Sequence, residues 1–233
     1  MNNKISELSV FFPAVNEEES IEKTVIPAAE VLEKVANNWE IIIIDDGSID
    51  STGQISDNLS KSDSRIKVVH HKSNRGYGGA LKSGFKNAKY KWVCFTDSDG
   101  QFDFSEVTKF IEKTEEADLI LGYRLNRADS FLRKVFTFGW SLLARVLLGF
   151  TAKDYSCGFK LIKKEVFERV QPLVGEEKVT QIEMLVKAKR LGYKFTEIGV
   201  HHYPRKYGMA TGAKVSVAFR SIVELFKLWR KLR

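Results

Sequence analysis

Asp97 and Asp99 stand one residue apart, with Ser98 between them and Gln101 two positions on. Carboxylate and amide oxygens at that spacing are hard ligands, suited to Mn2+ or Mg2+ rather than zinc, and such an ion grips a diphosphate. The residues before them, Trp92 to Thr96, are apolar or β-prone and predict a buried strand that delivers both acids at its carboxyl end. In an open α/β sheet that end faces the ligand crevice. The plainer alternative is a capping turn, since Asp and Gly are common where a loop enters a helix.

Other chemistry-bearing residues also follow strand-like runs. Glu40 to Ile44, with four successive isoleucines, reads as a strand buried on both faces of a parallel sheet, and it ends in Asp45-Asp46-Gly47-Ser48. Asp50 or Ser51 is expected to cap the next helix. Leu8 to Phe12 is a short strand ended by Pro13, followed by the acidic loop Ala14 to Glu19 and a helix over Ser20 to Val35 that Pro27 should kink or restart. Ile66 to His70 is a third strand. The glycines of Asn74 to Ala80 then open a helix to about Ala88, where backbone can approach a phosphate, although a plain turn explains them equally well.

Beyond the paired acids the pattern continues. It predicts a helix over Ser105–Glu116, a strand over Asp118–Gly122, a strand and short helix from Lys160 through Val170, a helix over Thr180–Leu191 closed by Gly192, and a strand over Phe195–Val200. Repeated β-α units with polar residues at successive strand ends indicate an open, mainly parallel sheet covered by helices. His201 and His202 have no spaced partner for zinc and read as loop residues. Cys94 and Cys157 are too few for a disulfide framework or a metal cluster.

The charge is concentrated. His201 to Arg233 carries eight Lys and Arg against one acid, Glu224, which accounts for the whole formal charge of +7. Ala213 to Arg233 is expected to form a basic amphipathic helix with Val215, Phe219, Ile222, Phe226 and Trp229 on one face. Phe131 to Leu148 is strongly apolar, but Arg145 leaves no uncharged run of the ~20 residues needed to span a bilayer, so it reads as a core or interfacial helix. Such a tail attracts nucleic acid or an anionic membrane surface, and charge alone does not choose. The N-terminus has no apolar leader core, which predicts a cytoplasmic location.

Six stretches together resemble one family. Pro13-Ala14-Val15-Asn16-Glu17, Asp45-Asp46-Gly47-Ser48-Ile49-Asp50, Asn74-Arg75-Gly76-Tyr77-Gly78, Asp97-Ser98-Asp99-Gly100-Gln101, Gly122-Tyr123-Arg124 and Gly158-Phe159-Lys160 occur in the order found in family 2 glycosyltransferases, and more narrowly in the catalytic domains of dolichyl-phosphate mannose synthases and related polyprenyl-phosphate glycosyltransferases. A hydrophobic strand followed by Asp-x-Asp-Gly is also similar to the nucleophile loop of haloacid-dehalogenase-type phosphatases. That loop normally lies on the first core strand, whereas here three β-α units precede it.

The glycosyltransferase resemblance implies a GT-A fold over residues 1–212, with 213–233 as a possible membrane-surface anchor. It implies that Pro13, Val15, Glu17, Asp45, Asp46, Ser98 and the paired acids line the donor site, and that Asp97, Asp99 and Gln101 hold Mn2+ or Mg2+ and the diphosphate. Arg124 and Arg205 match basic positions that neutralise phosphates, so Asp99, Arg124 and Arg205 are the expected catalytic group. Val15 replaces the usual aromatic, and Thr211 stands where eukaryotic mannose synthases tend to have Lys.

The implied reaction is inverting transfer of a sugar, mannose or glucose favoured, from a nucleotide sugar to a polyprenyl phosphate, at the cytoplasmic face of a membrane and with no nucleic-acid partner. Family members that act on sugar hydroxyls often carry an Asp as base where this chain has Gln181, so a phosphate acceptor is favoured, with Asp154 or Glu183 as fallback bases for a hydroxyl. Transfer to a saccharide hydroxyl is the second reading, and a non-enzymatic membrane-binding module is a third.

Overall fold

The computed structural model describes residues 4–125, 139, 145–176, 179–207 and 215–232. Seven strands form one sheet in the order β3-β2-β1-β4-β6-β5-β7. They are β1 (Ile5–Ala14), β2 (Ala36–Asp45), β3 (Ile66–His70), β4 (Trp92–Phe95), β5 (Leu119–Arg124), β6 (Lys160–Lys163) and β7 (Phe195–Val200). Only β6 runs antiparallel to its neighbours, β4 and β5. The carboxyl ends of β1, β2, β4, β5 and β7 therefore open on one edge, where the acids and arginines lie.

The sheet is buried on both faces, as the isoleucine run requires. Ile41 to Ile44 are each fully buried and alternate between two cores, which is worth roughly 1.5–3 kcal/mol per side chain. One core is closed by α1 (Ile21–Val35), α2 (Thr52–Ser62) and α4 (Val107–Ile111), through Ile21, Val25, Leu32, Leu59, Val107 and Phe110. The other is closed by α3 (Gly76–Asn87), α5 (Lys164–Arg169) and α6 (Val179–Arg190), with Phe85 stacked on Phe167 at 4.6 Å.

Several boundaries differ from expectation for identifiable reasons. Pro13 does not end β1 but pairs with Ile44 inside it. Residues of alternate parity face opposite neighbours, and Phe11, which accepts from the Thr96 amide, faces β4. Pro13 faces the same way, beyond the last residue of β4, so its missing N–H breaks no ladder bond. Pro27 does not restart α1, which runs unbroken from Ile21 to Val35. Pro27 and Lys23 lie on the exposed face, where water can serve the Lys23 carbonyl that Pro27 leaves without a donor. The helix expected over Ser105–Glu116 shortens to a 3-10 turn, Phe104–Glu106, followed by α4. Asp103 supplies its cap by accepting from the Ser105 amide at 2.9 Å.

The C-terminal helix, α7 (Val215–Leu232), docks with a different face from the one expected. Leu225 and Leu228 are buried in the core beside α6, while Phe226 is 43% exposed. Trp229 is half-buried against the same core. Most of the apolar stretch Phe131 to Leu148 lies outside the described residues, as does Thr211.

Candidate active site

The paired acids are held by short local bonds rather than by a helix cap. Ser98 turns inward and donates to the Pro13 carbonyl at 2.7 Å, and its own carbonyl accepts from Thr24 Oγ1 at 3.2 Å. This ties the loop to β1 and α1 and leaves Asp97 and Asp99, of the same parity, facing the crevice. Asp99 Oδ1 accepts from the Gln101 amide at 3.1 Å. Asp97 Oδ1 accepts from the Tyr77 hydroxyl at 3.2 Å. Gly158 lies so close on the other side that a Cβ there would stand 2.2 Å from Asp97 Oδ2, which explains a glycine at that place. Burial, and then the neighbouring Asp97 carboxylate, push Asp99 up to about 7.

Arg205 reaches this pair from the loop after β7. The loop is pinned by His201, whose amide and ring nitrogen bind Glu106 at 2.8 and 3.0 Å, and by Tyr203, which exchanges hydrogen bonds with Gln101 at 2.8 Å each way. The Arg205 guanidinium then bridges Glu17 Oε1 at 2.6 Å and Asp99 Oδ2 at 3.4 Å. Glu17 is itself fixed, its amide donating to Thr52 Oγ1 at 2.8 Å and its Oε2 accepting from Ser20 at 2.8 Å. Thus β1, β4 and the β7 loop bring Glu17, Asp99 and Arg205 together. Gln101 gives its amide nitrogen to Tyr203, which leaves Oε1 as its ligand-capable atom.

At the end of β2 the acids have partners that the motif did not reveal. Asp45 accepts from the Ser48 amide at 3.0 Å and meets His70 Nδ1 at 2.8 Å. Burial opposes its ionisation, but the hydrogen bonds from Ser48 and His70 outweigh it and hold the carboxyl below its usual range. The same contact with Asp45, then that with Asp57, raises His70. Asp46 Oδ1 meets His71 Nδ1 at 2.6 Å and accepts from the Arg75 amide at 2.9 Å. Gly47 turns the chain at φ 71°, where a side chain would be strained and would strike Ser73 and Asn74. Asn16, at φ 54°, locks the first motif to this turn by accepting from the Ile49 amide at 2.9 Å and donating its own to Ser48 at 3.0 Å. Val15 and Pro13 sit half-buried beside it.

The remaining predicted residues are engaged with one another or elsewhere. Arg124 and Asp154 form a buried two-point ion pair at 2.7 and 3.1 Å. Glu183 is fully buried and faces away from the acids; it accepts from the Val174 and Gly175 amides at 2.8 and 2.9 Å and pairs with Lys187 at 2.7 Å. Gln181 is buried between Lys160 and Tyr77. His70, His71, Tyr77 and Lys160 were missed as site residues because a strand end or a helix turn gives no spacing signal for them. Tyr77 and Lys160 did lie inside motifs, and both are where a strand or helix of the α/β core passes the crevice.

A divalent ion fits this arrangement. Two close carboxylates, one of them pushed up by burial and then by the other, are what a dication relieves, and Mg2+-type sites commonly use one or two carboxylates with the rest supplied by substrate phosphates. Among the described residues no three His, Cys, Asp or Glu side chains gather into a metal cage.

Strand order, the single reversed strand and acids at the carboxyl edge define an α/β fold of the GT-A type. The sequence profile of Glycosyl transferase family 2 matches residues 9–171, and the chain belongs to that family. It is 33% identical over 208 residues to the glycosyltransferase AglD of Haloferax volcanii, covering 85% of this chain and 33% of that protein. It is 33% identical over 214 residues to the dolichyl-phosphate beta-glucosyltransferase of Dictyostelium discoideum, covering 83% of this chain and 65% of that one. The chain thus spans between a third and two thirds of these relatives. Among solved structures, glucosyl-3-phosphoglycerate synthase from Mycobacterium tuberculosis, in complex with Mn2+, UDP and its product, superposes with a TM-score of 0.74 at 20% identity, over 96% of this chain and 80% of that one. That likeness is one of fold.

Proposed function

We propose that this chain catalyses inverting, metal-dependent transfer of a hexosyl group, glucose or mannose, from a nucleoside-diphosphate sugar to a polyprenyl phosphate. The relatives named for such acceptors support this reading, among them dolichyl-phosphate beta-glucosyltransferases of Dictyostelium discoideum and Saccharomyces cerevisiae and the dodecaprenyl-phosphate galacturonate synthase of Rhizobium johnstonii. Asp97 and Asp99, with Gln101 Oε1, would hold Mn2+ or Mg2+, whose positive charge supports the diphosphate as it departs. Pro13, Val15, Glu17, Asp45 and Asp46 form the floor on which the nucleoside rests. Arg205 turns from Glu17 and Asp99 to the diphosphate oxygens. Arg124, oriented by Asp154, adds a second fixed positive charge.

The observation that carries the acceptor assignment concerns the base. Gln181 is an amide bonded on both sides, Glu183 is tied to the Val174 and Gly175 amides, and Asp154 is paired with Arg124. A hydroxyl acceptor needs a group to take its proton, whereas a phosphate monoester arrives as an anion. The test is lipid extraction after incubation with undecaprenyl or dolichyl phosphate and one nucleotide sugar at a time. Sugar-shifted lipid phosphate supports the proposal; nucleotide release only when saccharides are added favours a hydroxyl acceptor.

Residues 1–212 act as the catalytic unit in this reading and 213–233 as a membrane-facing helix at the cytoplasmic surface. On α7, Val223 and Phe226 point outward together with Lys227, Arg230 and Lys231, the mixture that an anionic headgroup layer accepts. Among the described residues no helix is long and apolar enough to cross a membrane. Sedimentation with anionic vesicles checks this: Phe226→Asp with Lys227→Glu should release the protein, and unchanged binding would remove α7 as the contact.

A further inference from the structure

Lys160 is fully buried, and its ammonium faces three acceptors, the Tyr155 and Cys157 carbonyls and Gln181 Oε1. Three N–H donors meet three acceptors, so the Gln181 amide must present its oxygen to Lys160 and its nitrogen to the other side. There Gln181 Nε2 donates to the Tyr77 hydroxyl at 3.0 Å. With its oxygen occupied as an acceptor, Tyr77 points its single hydrogen at Asp97 Oδ1, 3.2 Å away. Each bond therefore runs in one sense, from Lys160 through Gln181 and Tyr77 to Asp97.

We propose that Lys160, Gln181 and Tyr77 are positioning residues, a one-way hydrogen-bond relay that fixes the rotation of the Asp97 carboxylate against Gly158 and so prepares it for a divalent cation. The relay accounts for an amide at position 181. An acid there would accept from both sides, draw the Tyr77 hydrogen to itself and release Asp97. It also accounts for a lysine buried in β6, within Coulombic reach of Asp97 and joined to it by this chain of hydrogen bonds. Three elements of the fold meet in it: β6, the first turn of α6 and the first turn of α3. Bond chains of one polarity strengthen each other in a low dielectric, so loss of any link is felt at the end.

The inference rests on the metal reading of Asp97 and Asp99, and the test separates the two. Mn2+ binding is read from the electron paramagnetic resonance signal of the free ion during titration of the unsubstituted protein, Asp99→Ala, Tyr77→Phe, Gln181→Met and the Tyr77→Phe/Gln181→Met double variant. Melting curves establish that each is folded at the assay temperature. Tyr77→Phe keeps the buried ring and should weaken Mn2+ binding about tenfold; the double variant should be no weaker than Tyr77→Phe alone, because both cut the same chain. Unchanged Mn2+ affinity in folded Tyr77→Phe, or losses that simply add, would overturn the relay while leaving the metal site intact. Equal Mn2+ binding by the unsubstituted protein and Asp99→Ala would overturn the metal reading and the relay with it.

Discussion

Without a cation, Asp99 should destabilise the fold, and Asp99→Asn should raise the melting temperature while abolishing transfer. Burial and the Asp97 carboxylate lift Asp99 from 3.8 to about 7, even with Arg205 nearby. At about 1.4 kcal/mol for each tenfold, that interval corresponds to on the order of 4 kcal/mol against the ionised folded form. Relaxation of the loop reduces it, and the neutral amide keeps its one oxygen for the Gln101 amide while giving up the contact with Arg205, so a net gain of roughly 1–3 kcal/mol is expected. For a chain of this size that is about 2–12 °C, at roughly 2–4 °C per kcal/mol. The sign with pH follows. A carboxyl raised in the folded state is a penalty only where the unfolded chain ionises, so the advantage of Asn is full above about pH 7 and fades as pH falls from about 7 toward 3.8. The assay is thermal melting in chelator at pH 8 and pH 5. Asp99→Asn melting at or below the unsubstituted protein at pH 8 would refute the reasoning, as would a gain equally large at pH 5.

The apparent Mn2+ affinity should fall by up to about tenfold per pH unit below about pH 7, since one proton competes with the ion at Asp99; an affinity flat from pH 5 to 8 contradicts this. Gly158→Ala should cost on the order of 100-fold in turnover, because its Cβ would displace the Asp97 carboxylate from 2.2 Å and a misplacement of about 1 Å has effects of that size. Near-normal kinetics would show that Asp97 need not stay where it is. Glu183→Gln should lower stability in urea by about 3–5 kcal/mol, the range for breaking a buried pair, with turnover of the folded protein within a few-fold of normal. A large turnover loss at unchanged stability would instead make Glu183 a base.

The fold was legible wherever burial on both faces left an uninterrupted apolar run. Ile66–His70 and Phe195–Val200 match expectation residue for residue, and β2 extends the isoleucine run at both ends. Pro13 and Pro27 misled because a missing N–H matters only if a partner waits for it that water cannot serve: β4 ends before Pro13, and the Lys23 carbonyl behind Pro27 is exposed, both of them tertiary facts. Periodicity identified α7 but not its docked side: apolar residues occur around much of the helix, and contact with α6 selected Leu225 and Leu228 over Phe226. In the site, the acids and Arg205 could be read because strand ends and motif order place them. The Arg124–Asp154 pair, the histidines behind Asp45 and Asp46, and the Lys160–Gln181–Tyr77 chain join residues far apart in sequence, and nothing local encodes which donor meets which acceptor.

The central claim is that the crevice passes a sugar from a nucleotide to a lipid phosphate through Asp99. The most direct measurement is mass spectrometry of the organic phase after incubation with polyprenyl phosphate, Mn2+ and a mixture of nucleotide sugars, with Asp99→Ala in parallel. The account predicts a hexose-shifted lipid phosphate that disappears in the variant. A lipid fraction left unshifted while nucleotide is released to a saccharide, or an equal shift in both proteins, would contradict it.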